Sequence, residues 1–343
     1  MKSIVVHSAK DLRIEDHERP TPKTGQVLIR MAAGGICGSD LHYYNHGGFG
    51  TIQLKQPMIL GHEVSGYIEA LGDGVDGFTK GDLVAISPSR PCGTCLYCLE
   101  GSQNHCLDMR FYGSAMPFPH IQGAFSEYLV ADIDQCALAN GLTAGEAAMA
   151  EPLSVVLHAA RQAGDLFGKR VLITGCGPIG LLAVLVARQA GALEIVVTDI
   201  TDFTLSKAID VGADTTINVT QADLSSFETN KGHFDILFEC SGVAQALASA
   251  VPAMRPKATI IQLGLGGDMT LPMQAMTAKE LQLKGSFRFH SEFHVAVEMM
   301  QTGRLDVTPL ITHAIPMIDA VKAFELASDR TQAVKINLTF ASE

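Results

Sequence analysis

The feature that most constrains the fold is an apolar stretch interrupted by glycines, residues 170–200. It begins with a short run rich in β-branched side chains, which predicts a strand. Gly175, Gly177 and Gly180 follow in G-x-G-x-x-G spacing at the start of a helical pattern, and a second apolar run ends at Asp199. A strand, a glycine-rich turn, a helix and a second strand in this order predict a βαβ unit that binds a dinucleotide.

The residues of this turn predict how a phosphate group would be held. Gly175 allows a tight turn, Gly177 lets the backbone approach a pyrophosphate, and Gly180 lets the helix pack closely on the strand. Pro178 and Ile179 open the helix, where the missing N–H of a proline costs nothing and the unpaired amides favour an anion. A membrane span and a buried core helix are the competing interpretations. The span is rejected because the helical remainder is shorter than the ~20 residues that a bilayer requires.

Asp199 predicts which dinucleotide binds. An acidic residue at the end of the second strand accepts hydrogen bonds from both hydroxyls of an adenosine ribose. Residues 200–203 contain no cation and include Asp202, whose carboxylate would repel a 2′-phosphate. The pattern therefore predicts NAD, with NADP as the alternative.

The length and charge of the chain limit the classes to which it can belong. A chain of 343 residues is long for one core, so we expect two domains. The net charge of -11 argues against nucleic acids and anionic membranes as partners, because both select clustered Lys and Arg. The first apolar patch is too short for a secretory signal, which predicts a cytoplasmic location. Eight cysteines in a protein expected in the cytoplasm indicate metal or thiol chemistry rather than disulfides.

Two periodicities divide the chain. Residues 1–152 alternate short apolar runs with Gly and Pro, which predicts antiparallel strands in a barrel-like domain. Residues 153–287 alternate strands and helices, which predicts a doubly wound parallel sheet. The later strands of that sheet are expected at residues 215–219, 234–239, 259–263 and 281–284. Residues 288–343 are too few for a domain, and we expect them to pack back on the first domain and complete it.

Four cysteines lie close together in a loop, as C-x2-C-x2-C-x7-C: Cys92, Cys95, Cys98 and Cys106. Four thiolates predict a closed tetrahedral zinc site, which has no position for substrate and is therefore structural. An iron–sulfur cluster and free cysteines are the alternatives. Bacterial cluster motifs place three residues between the last two cysteines and a proline after them, whereas seven separate Cys98 from Cys106 here and Leu107 follows.

A second group of polar residues is spread along the chain. Cys37 lies in GGICGSDLH, His62 and Glu63 lie in LGHEVSG, and Glu151 lies in AEPLSVVLHAA. Each alone is explained as an ordinary buried or hydrogen-bonded side chain. Together these segments resemble the zinc-dependent medium-chain alcohol and polyol dehydrogenases along essentially the whole chain. The resemblance implies an α/β protein with a GroES-like, partly open β-barrel catalytic domain, a Rossmann domain, and an active site in the cleft between them.

The resemblance also implies two zinc ions per chain, one catalytic and one in the four-cysteine loop. Cys37 and His62 would bind the catalytic zinc. Glu63 and Glu151 are both candidates for a further position, one as a direct ligand and the other acting through water. Polyol dehydrogenases carry a glutamate where alcohol dehydrogenases carry a third cysteine ligand, so Glu151 indicates the polyol branch.

The chemistry of the family requires a proton to leave before the hydride. Zinc with an open position lowers the pKa of a bound hydroxyl. By resemblance, Ser39 accepts the proton of the substrate hydroxyl and His42 passes it to solvent, while Asp40 orients His62. Ordinary polar residues in surface turns are the alternative interpretation of Ser39 and His42.

Further cofactor contacts are expected from Leu263, Gly264, Phe287 and Arg288. Arg288 has three possible roles: it would bind the cofactor phosphates, stabilise the domain junction, or contact the substrate. These interpretations stay open at the level of sequence.

The segments GGICGSDLHYY, MRFYGSAM and GSFRF carry a narrower resemblance, to family members that oxidise a sugar acid. A carboxylate substrate requires a cation, and the planar fork of arginine matches both carboxylate oxygens. Arg110 and Arg288 are the candidates, and Tyr43 is a candidate contact to a sugar hydroxyl. Phe289 stands where polyol dehydrogenases often carry tyrosine, which argues against strict specificity for sorbitol.

The favoured function is therefore a zinc-dependent dehydrogenase that transfers a hydride from a sugar acid or polyol to NAD. An amino-alcohol dehydrogenase similar to the threonine dehydrogenases is one alternative, and it would need a carboxylate for the substrate ammonium. A zinc-stabilised nucleotide sensor is another, against which the intact set of candidate catalytic residues argues. The resemblance implies a homodimer or homotetramer.

Overall fold

The structure, a computed structural model, describes residues 1–340. Its strands are, in chain order, β1 (Lys2–Ser8), β2 (Asp11–Asp16), β3 (Gln26–Gly35), β4 (Gly48–Phe49), β5 (Ile52–Gln53), β6 (Met58–Ile59), β7 (Glu63–Leu71), β8 (Leu83–Ile86), β9 (Ser89–Arg90), β10 (Arg110–Phe111), β11 (Tyr128–Asp132), β12 (Cys136–Leu138), β13 (Arg170–Thr174), β14 (Glu194–Asp199), β15 (Thr215–Asn218), β16 (Phe234–Glu239), β17 (Met254–Gln262), β18 (Gln282–Gly285), β19 (Ile311–Pro316) and β20 (Lys335–Thr339). Its α-helices are α1 (Gly38–His46), α2 (Leu96–Leu99), α3 (Ala144–Ala148), α4 (Ala150–Ala163), α5 (Pro178–Gln189), α6 (Asp202–Asp210), α7 (Ala244–Ala250), α8 (Met273–Ala278), α9 (Glu292–Gln301) and α10 (Ala320–Ser328).

The first half of the chain builds a sheet around the long strand β3. The strands lie in the order β12-β8-β7-β3-β20-β19, and β11 also pairs with β3. One edge of β3 pairs with β7, whereas its other edge pairs with β11 near its beginning and with β20 near its end. A strand from the far end of the described chain therefore completes this sheet.

The second half is a six-stranded parallel sheet in the order β15-β14-β13-β16-β17-β18. This is the 3-2-1-4-5-6 order of a doubly wound dinucleotide-binding fold. Successive residues of β13 face opposite cores, Val171 and Ile173 towards one and Leu172 towards the other, because side chains alternate along a strand. The predicted fold class, a barrel-like domain with a Rossmann sheet, is confirmed.

The two halves share part of their apolar core. The core on one face of the parallel sheet includes Phe289 and Phe293 of the returning segment, and it reaches Leu83 of β8 and Ala137 of β12. Helix α4 crosses the predicted boundary at residue 152, and the returning segment contributes to both cores. The boundaries 1–152, 153–287 and 288–343 stay a prediction.

Helices in residues 1–340 are all too short or too polar to span a lipid bilayer.

Candidate active site and metal centres

The four predicted cysteines of the loop converge on one point. The Sγ atoms of Cys95 and Cys98 are 3.5 Å apart, and Cys92–Cys98 and Cys95–Cys106 are each separated by 4.0 Å. Sulfur atoms bound tetrahedrally to zinc at about 2.3 Å lie about 3.8 Å from one another. A disulfide would require about 2.05 Å, and all four cysteines are free. The residues present therefore fit a structural zinc.

Backbone amides prepare one of these thiols for metal binding. Hydrogen bonds from the N–H groups of Thr94 and Cys95 lower the pKa of Cys92 to about 6. The thiolate is the form that binds metal, so the surroundings of Cys92 favour its reactive form near neutral pH. Burial instead raises the pKa of Cys98, in the same loop, to about 12.

A second group of ligand atoms forms where β3 and β7 meet. One ligand atom each from Cys37, His62 and Glu63 lies within 4.8 Å of the others. The β3–β7 ladder pairs Gly35 with Glu63, which brings the two sequence motifs together. A Cβ on Gly35 would lie 2.3 Å from Oε2 of Glu63, so this close approach requires glycine.

A second glycine shapes the turn before His62. Gly61 has φ +94°, and a Cβ there would lie 2.1 Å from the ring of Phe125. Only glycine tolerates this conformation at low cost, so the buried aromatic ring and the turn together position the histidine.

A lysine that we did not predict completes the surroundings of Glu63. Nζ of Lys335 donates to Oε1 of Glu63 at 2.8 Å and to the carbonyl of Ile36 at 3.1 Å. Both charged side chains are buried. Burial lowers the pKa of Lys335, but the charges of Glu63 and Cys37 raise it more, so the lysine is the charged partner of a buried pair. A lysine within the apolar run of β20 was the signal in the sequence.

Glu151 lies beside this group without belonging to it. It is buried in the first turn of α4. Burial raises its pKa to about 8; the charge of His62 opposes this rise, and the charges of Glu63 and Cys37 add to it. Within residues 1–340, the carboxylate of Glu63 lies close enough to share a metal ion with Cys37 and His62, and that of Glu151 does not.

Asp40 connects the two segments that carry these ligands. Its carboxylate accepts the N–H of Cys37 and the N–H of Gly61, each at 3.1 Å. Oδ1 also lies 3.7 Å from Nδ1 of His62, a buried atom with no hydrogen-bond partner among the described residues. The carboxylate therefore faces Nδ1, while Nε2 of His62 lies 3.5 Å from Oγ of Ser39.

Ser39 and His42 lie on helix α1 rather than in the turn that we considered as the alternative. Asp40 closes a capping box with Cys37, which starts the helix immediately after the ligand. Residues three apart on a helix share a face, so Ser39 and His42 are neighbours on it. Ser39 is partly buried and His42 is exposed, so this face leads from the metal ligands to solvent.

Arg288 points towards the region of the catalytic metal ligands. Its guanidinium lies 4.1 Å from the centre of the Phe111 ring and donates to Sδ of Met116 at 3.5 Å. Burial lowers its pKa, and the charges of Glu151 and Tyr43 oppose this effect, so the guanidinium lies near both groups. Within residues 1–340 no carboxylate forms an ion pair with it. The backbone of Arg288 has φ +54°, in the left-handed region that residues other than glycine rarely adopt.

The other two predicted substrate contacts are placed differently. Tyr43 is buried, and its hydroxyl accepts the N–H of Ala115 at 3.1 Å. Arg110 is exposed on β10, whereas its neighbour Phe111 lies 5.6 Å from the ring of His62. Adjacent side chains of a strand face opposite ways, so the structure brings Phe111, rather than Arg110, to the metal ligands.

The glycine-rich turn has the form that a dinucleotide requires. A Cβ on Gly180 would lie 1.9 Å from the carbonyl oxygen of Gly175, so these two glycines permit the tight turn. Gly177 precedes α5 and has open space above it, with Nη1 of Arg330 as the nearest atom at 3.7 Å from a Cβ position. Pro178 and Ile179 form the first turn of α5. The residues present therefore fit a bound pyrophosphate.

Asp199 is fixed at the end of β14 by backbone donors. Its carboxylate accepts N–H groups from Cys176 at 2.6 Å, Ile200 at 2.7 Å and Thr201 at 3.0 Å. A carboxylate has about four lone-pair sites, so one remains for a ribose hydroxyl. The bond to Cys176 also joins Asp199 to the glycine-rich turn.

A buried glutamate that the sequence analysis missed organises the neighbouring strand ends. The carboxylate of Glu239, at the end of β16, accepts the N–H of Ser241 at 2.8 Å and Nε2 of Gln262 at 2.6 Å. Its backbone carbonyl accepts the N–H groups of Leu263 and Gly264, both at 2.9 Å. The predicted cofactor residues Leu263 and Gly264 therefore lie at the carboxyl edge of the sheet.

Phe287 links the active site to the cysteine loop. Nδ2 of Asn104 donates to the carbonyl of Phe287 at 3.0 Å, and the ring of His105 stacks on the Phe287 ring at 6.0 Å. Asn104 and His105 directly precede the last cysteine ligand, Cys106. The structural zinc loop therefore supports the segment that carries Arg288.

Comparisons with known proteins agree with this geometry. Residues 23–141 match the family described as alcohol dehydrogenase GroES-like domain, and residues 178–302 match the family described as zinc-binding dehydrogenase. L-idonate 5-dehydrogenase (NAD(P)(+)) of Escherichia coli K12 is 42% identical over 99% of this chain and 98% of its own length. Sorbitol dehydrogenase of Gallus gallus is 37% identical over 98% of this chain and 95% of its own. The crystal structure of L-idonate 5-dehydrogenase from Escherichia coli K-12 superposes with a TM-score of 0.92 at 41% identity, covering 98% of this chain and 97% of that one.

Proposed function

Because this chain belongs to the zinc-dependent medium-chain alcohol dehydrogenase family and is an NAD(P)-dependent oxidoreductase, we propose that it oxidises the C5 hydroxyl of L-idonate to give 5-dehydro-D-gluconate. The relative that carries this activity in its name spans nearly the whole chain at 42% identity. Sorbitol dehydrogenases, at 37% identity or less, support the alternative of a polyol 2-dehydrogenase acting on L-iditol, sorbitol or xylitol.

The observation that carries the choice of a sugar acid is the position of Arg288. Its guanidinium lies beside the metal ligands, close to Glu151 and Tyr43, and forms no ion pair with a carboxylate of residues 1–340. Arg288 is half-buried, so its charge has lost part of its hydration without gaining a counter-ion, and an anionic substrate would supply one. The ring of Phe289 stacks on Phe293 in the core, so this position offers no hydroxyl to a neutral polyol.

Cys37, His62 and Glu63 would hold the catalytic zinc, whose Lewis acidity makes the substrate hydroxyl easier to deprotonate. Glu63 is the better candidate for the direct ligand because its oxygen lies within the group. Glu151 would act beside it through a water molecule. A single base, Lys335, balances the charge of Glu63.

The side chains of α1 carry the proton away. Oγ of Ser39 accepts it from the substrate hydroxyl and passes it on, and the exposed His42 delivers it to solvent. Asp40 holds the loops of Cys37 and His62 at a fixed separation, and it orients the histidine ring through Nδ1.

NAD is the proposed preferred cofactor. The carboxylate of Asp199 is rigidly held and has capacity for a ribose hydroxyl, whereas a 2′-phosphate at the same position would be repelled. Leu263, Gly264 and Phe287 would line the remainder of the cofactor cleft.

The test is an assay of NADH formation with L-idonate, sorbitol, L-iditol, xylitol and L-threonine under identical conditions. L-idonate is expected to give a kcat/KM about a hundredfold or more above that of sorbitol, since the polyol leaves the arginine unpaired. Comparable values for L-idonate and sorbitol would refute recognition of the carboxylate, and a preference for L-threonine would favour the amino-alcohol alternative.

A homodimer or homotetramer is the expected assembly. Strand β18 forms an edge of the parallel sheet, and its Leu283 is 43% exposed, which supports pairing with a second copy. Sedimentation would measure the assembly, and the cytoplasmic location stays a prediction from the sequence.

A further inference from the structure

The backbone at Arg288 adopts a conformation that its own segment does not favour. Arg288 lies three residues beyond the end of β18, and its φ of +54° is left-handed. Such a conformation costs energy for a residue with a side chain, and it persists where the surrounding structure fixes it. The contacts that fix this backbone therefore decide where the guanidinium lies.

One of these contacts is a hydrogen bond from the four-cysteine loop. Nδ2 of Asn104, a buried side chain, donates to the carbonyl of Phe287 at 3.0 Å. That carbonyl and the N–H of Arg288 belong to the same planar peptide unit, so the bond fixes the plane from which the φ of Arg288 is measured. The two partners are 183 residues apart in the chain. The backbone of Arg288 is therefore held by a side chain of the catalytic half.

The second contact is a stack of side chains. The guanidinium of Arg288 lies 4.9 Å from the centre of the Phe287 ring and 4.1 Å from that of Phe111, both within the range of cation–π attraction. The ring of His105 stacks on Phe287, with 6.0 Å between the ring centres and 28° between the planes. Phe287 is 40% exposed, which leaves its ring room to turn, and the stack restricts that movement.

Both contacts come from residues that adjoin a ligand of the structural zinc. Asn104 and His105 immediately precede Cys106, which is buried. Sγ of Cys106 accepts the N–H of Cys92 at 3.1 Å, so the last cysteine is already held against the first. A zinc ion bound by the four thiolates would fix Cys106 further, and with it the two side chains that hold the segment of Arg288.

We propose that Asn104 and His105 are positioning residues for Arg288, so that the loop of the structural zinc sets how strongly the enzyme prefers a sugar acid to a neutral polyol. This inference rests on the proposed function, in which Arg288 binds the substrate carboxylate. It gives the four-cysteine loop a role in substrate specificity in addition to its contribution to stability.

The test measures substrate preference in variants of the zinc-loaded protein. Asn104→Ala removes the hydrogen bond, His105→Ala removes the stack, and His105→Phe restores an aromatic ring. Leu107→Ala is the matched control, because Leu107 directly follows Cys106 and is 73% exposed. The kcat and KM values are measured for L-idonate and sorbitol with NAD. The Tm and the zinc content of each variant show that it keeps its fold and both metal ions.

Binding without turnover is the second measurement. Titration of L-idonate into protein saturated with NADH gives a ground-state Kd, because NADH cannot accept a hydride. Asn104→Ala is expected to raise this Kd, and the KM for L-idonate, about tenfold, which corresponds to the loss of one hydrogen bond. The kcat for L-idonate and the kcat/KM for sorbitol should change by less than about threefold, since the metal ligands are untouched.

His105→Ala is expected to raise the KM for L-idonate by a smaller factor, about threefold, because it removes one aromatic contact and leaves the hydrogen bond. His105→Phe should restore the wild-type preference, since a phenyl ring also stacks. Leu107→Ala should match wild type with both substrates. This order of effects is not expected from a loop that only stabilises the fold, which would weaken both substrates together.

Two results would overturn the inference alone. One is an equal loss of kcat/KM for L-idonate and sorbitol in Asn104→Ala, and the other is a wild-type preference in both Asn104→Ala and His105→Ala. If Asn104→Ala does not fold, the exposed His105 decides: an unchanged preference in His105→Ala overturns the inference. A wild-type protein with no preference for L-idonate would instead refute the proposed function.

Discussion

Lys335 donates to both carboxylate oxygens of Glu63, although 272 residues separate the two along the chain. Both side chains are about 2% exposed. A buried pair of this kind contributes little net stability while it is intact, since both ions have lost their hydration. When the catalytic zinc is not bound, removing the lysine leaves the charge of Glu63 buried without compensation.

Replacement of the lysine should therefore destabilise the protein strongly. When the catalytic zinc is not bound, Lys335→Met is expected to cost about 3–5 kcal/mol of unfolding free energy, which is the range for broken buried pairs. Urea denaturation followed by circular dichroism measures the loss, and Lys322→Met, at an exposed position of α10, is the control. Equal stability of the two variants would show that Glu63 does not need the lysine.

Glu292 predicts how stability depends on pH. Burial raises its pKa, but the hydrogen bond from His158 and the N–H of His290 lower it more, to about 2. Arg161 also donates to it at 2.8 Å, which ties α9 to α4. Because the folded pKa is depressed, the stabilisation is complete above the ordinary pKa of about 4.5 and is lost as the pH falls towards 2.

Glu292→Gln should lower the Tm by several degrees at pH 7, from a contribution of about 3 kcal/mol at most. The difference in Tm between wild type and variant should shrink below pH 4.5. Calorimetry at pH 7, 5, 4 and 3 measures it, with Glu298→Gln, exposed on the same helix, as the control. A difference that stays constant with pH would contradict the depressed pKa.

Substitutions at the two metal centres should have different effects, one mainly on stability and the other on activity. Cys95→Ser is expected to lower the zinc content from two ions per chain to one and to lower the Tm, because a closed zinc site contributes folding free energy. His62→Ala should keep the fold and lose turnover. Elemental analysis, calorimetry and the NADH assay check both. One metal ion per chain in wild type, or full activity of His62→Ala, would contradict the assignment.

Substitutions of Arg288 and Arg110 should show which of the two arginines binds the substrate carboxylate. Arg288→Leu should lower kcat/KM for L-idonate about a hundredfold and leave the weak oxidation of sorbitol much less affected, since the loss is that of a charge-assisted pair. Arg110→Leu is the matched variant on the exposed side of β10. If Arg110→Leu caused the selective loss instead, the carboxylate would bind at Arg110.

Asp199 should control the choice of cofactor. Asp199→Ser removes both the ribose contact and the repulsion of a 2′-phosphate, so the preference for NAD over NADP should narrow by about 1–3 kcal/mol. Ratios of kcat/KM for the two cofactors measure this. Asp202→Ser, at the exposed start of α6, should change the ratio less. A wild-type protein that prefers NADP would contradict the interpretation of Asp199.

Local patterns were sufficient to predict most of the parallel sheet and the cluster of four cysteines, whereas the residues of the catalytic site were expected from the family resemblance. The strand expected at residues 234–239 has the same bounds as β16 in the structure, and the four cysteines of one loop lie close together, as their spacing indicated. These features depend on residues close together in the chain, where periodicity and spacing carry the information.

The residues that were missed act over long distances. Lys335 reaches Glu63 because β20 pairs with β3, and Asn104 supports Phe287 because the cysteine loop folds onto the opposite half. Neither pairing leaves a periodic signal in the sequence. Helix α1 was missed for a different reason: its start depends on the capping box of Cys37 and Asp40, which uses an unusual residue at the first position.

The pairing of β20 with β3 has a consequence for the order of assembly on the ribosome. At about 5–20 residues per second, the 272 residues between Glu63 and Lys335 take roughly 15–50 seconds to synthesise. During that interval the nascent sheet keeps an open edge along the end of β3, and the carboxylate of Glu63 lacks its counter-ion. The catalytic centre is therefore among the last parts of the molecule to mature, after the whole nucleotide-binding half has been translated.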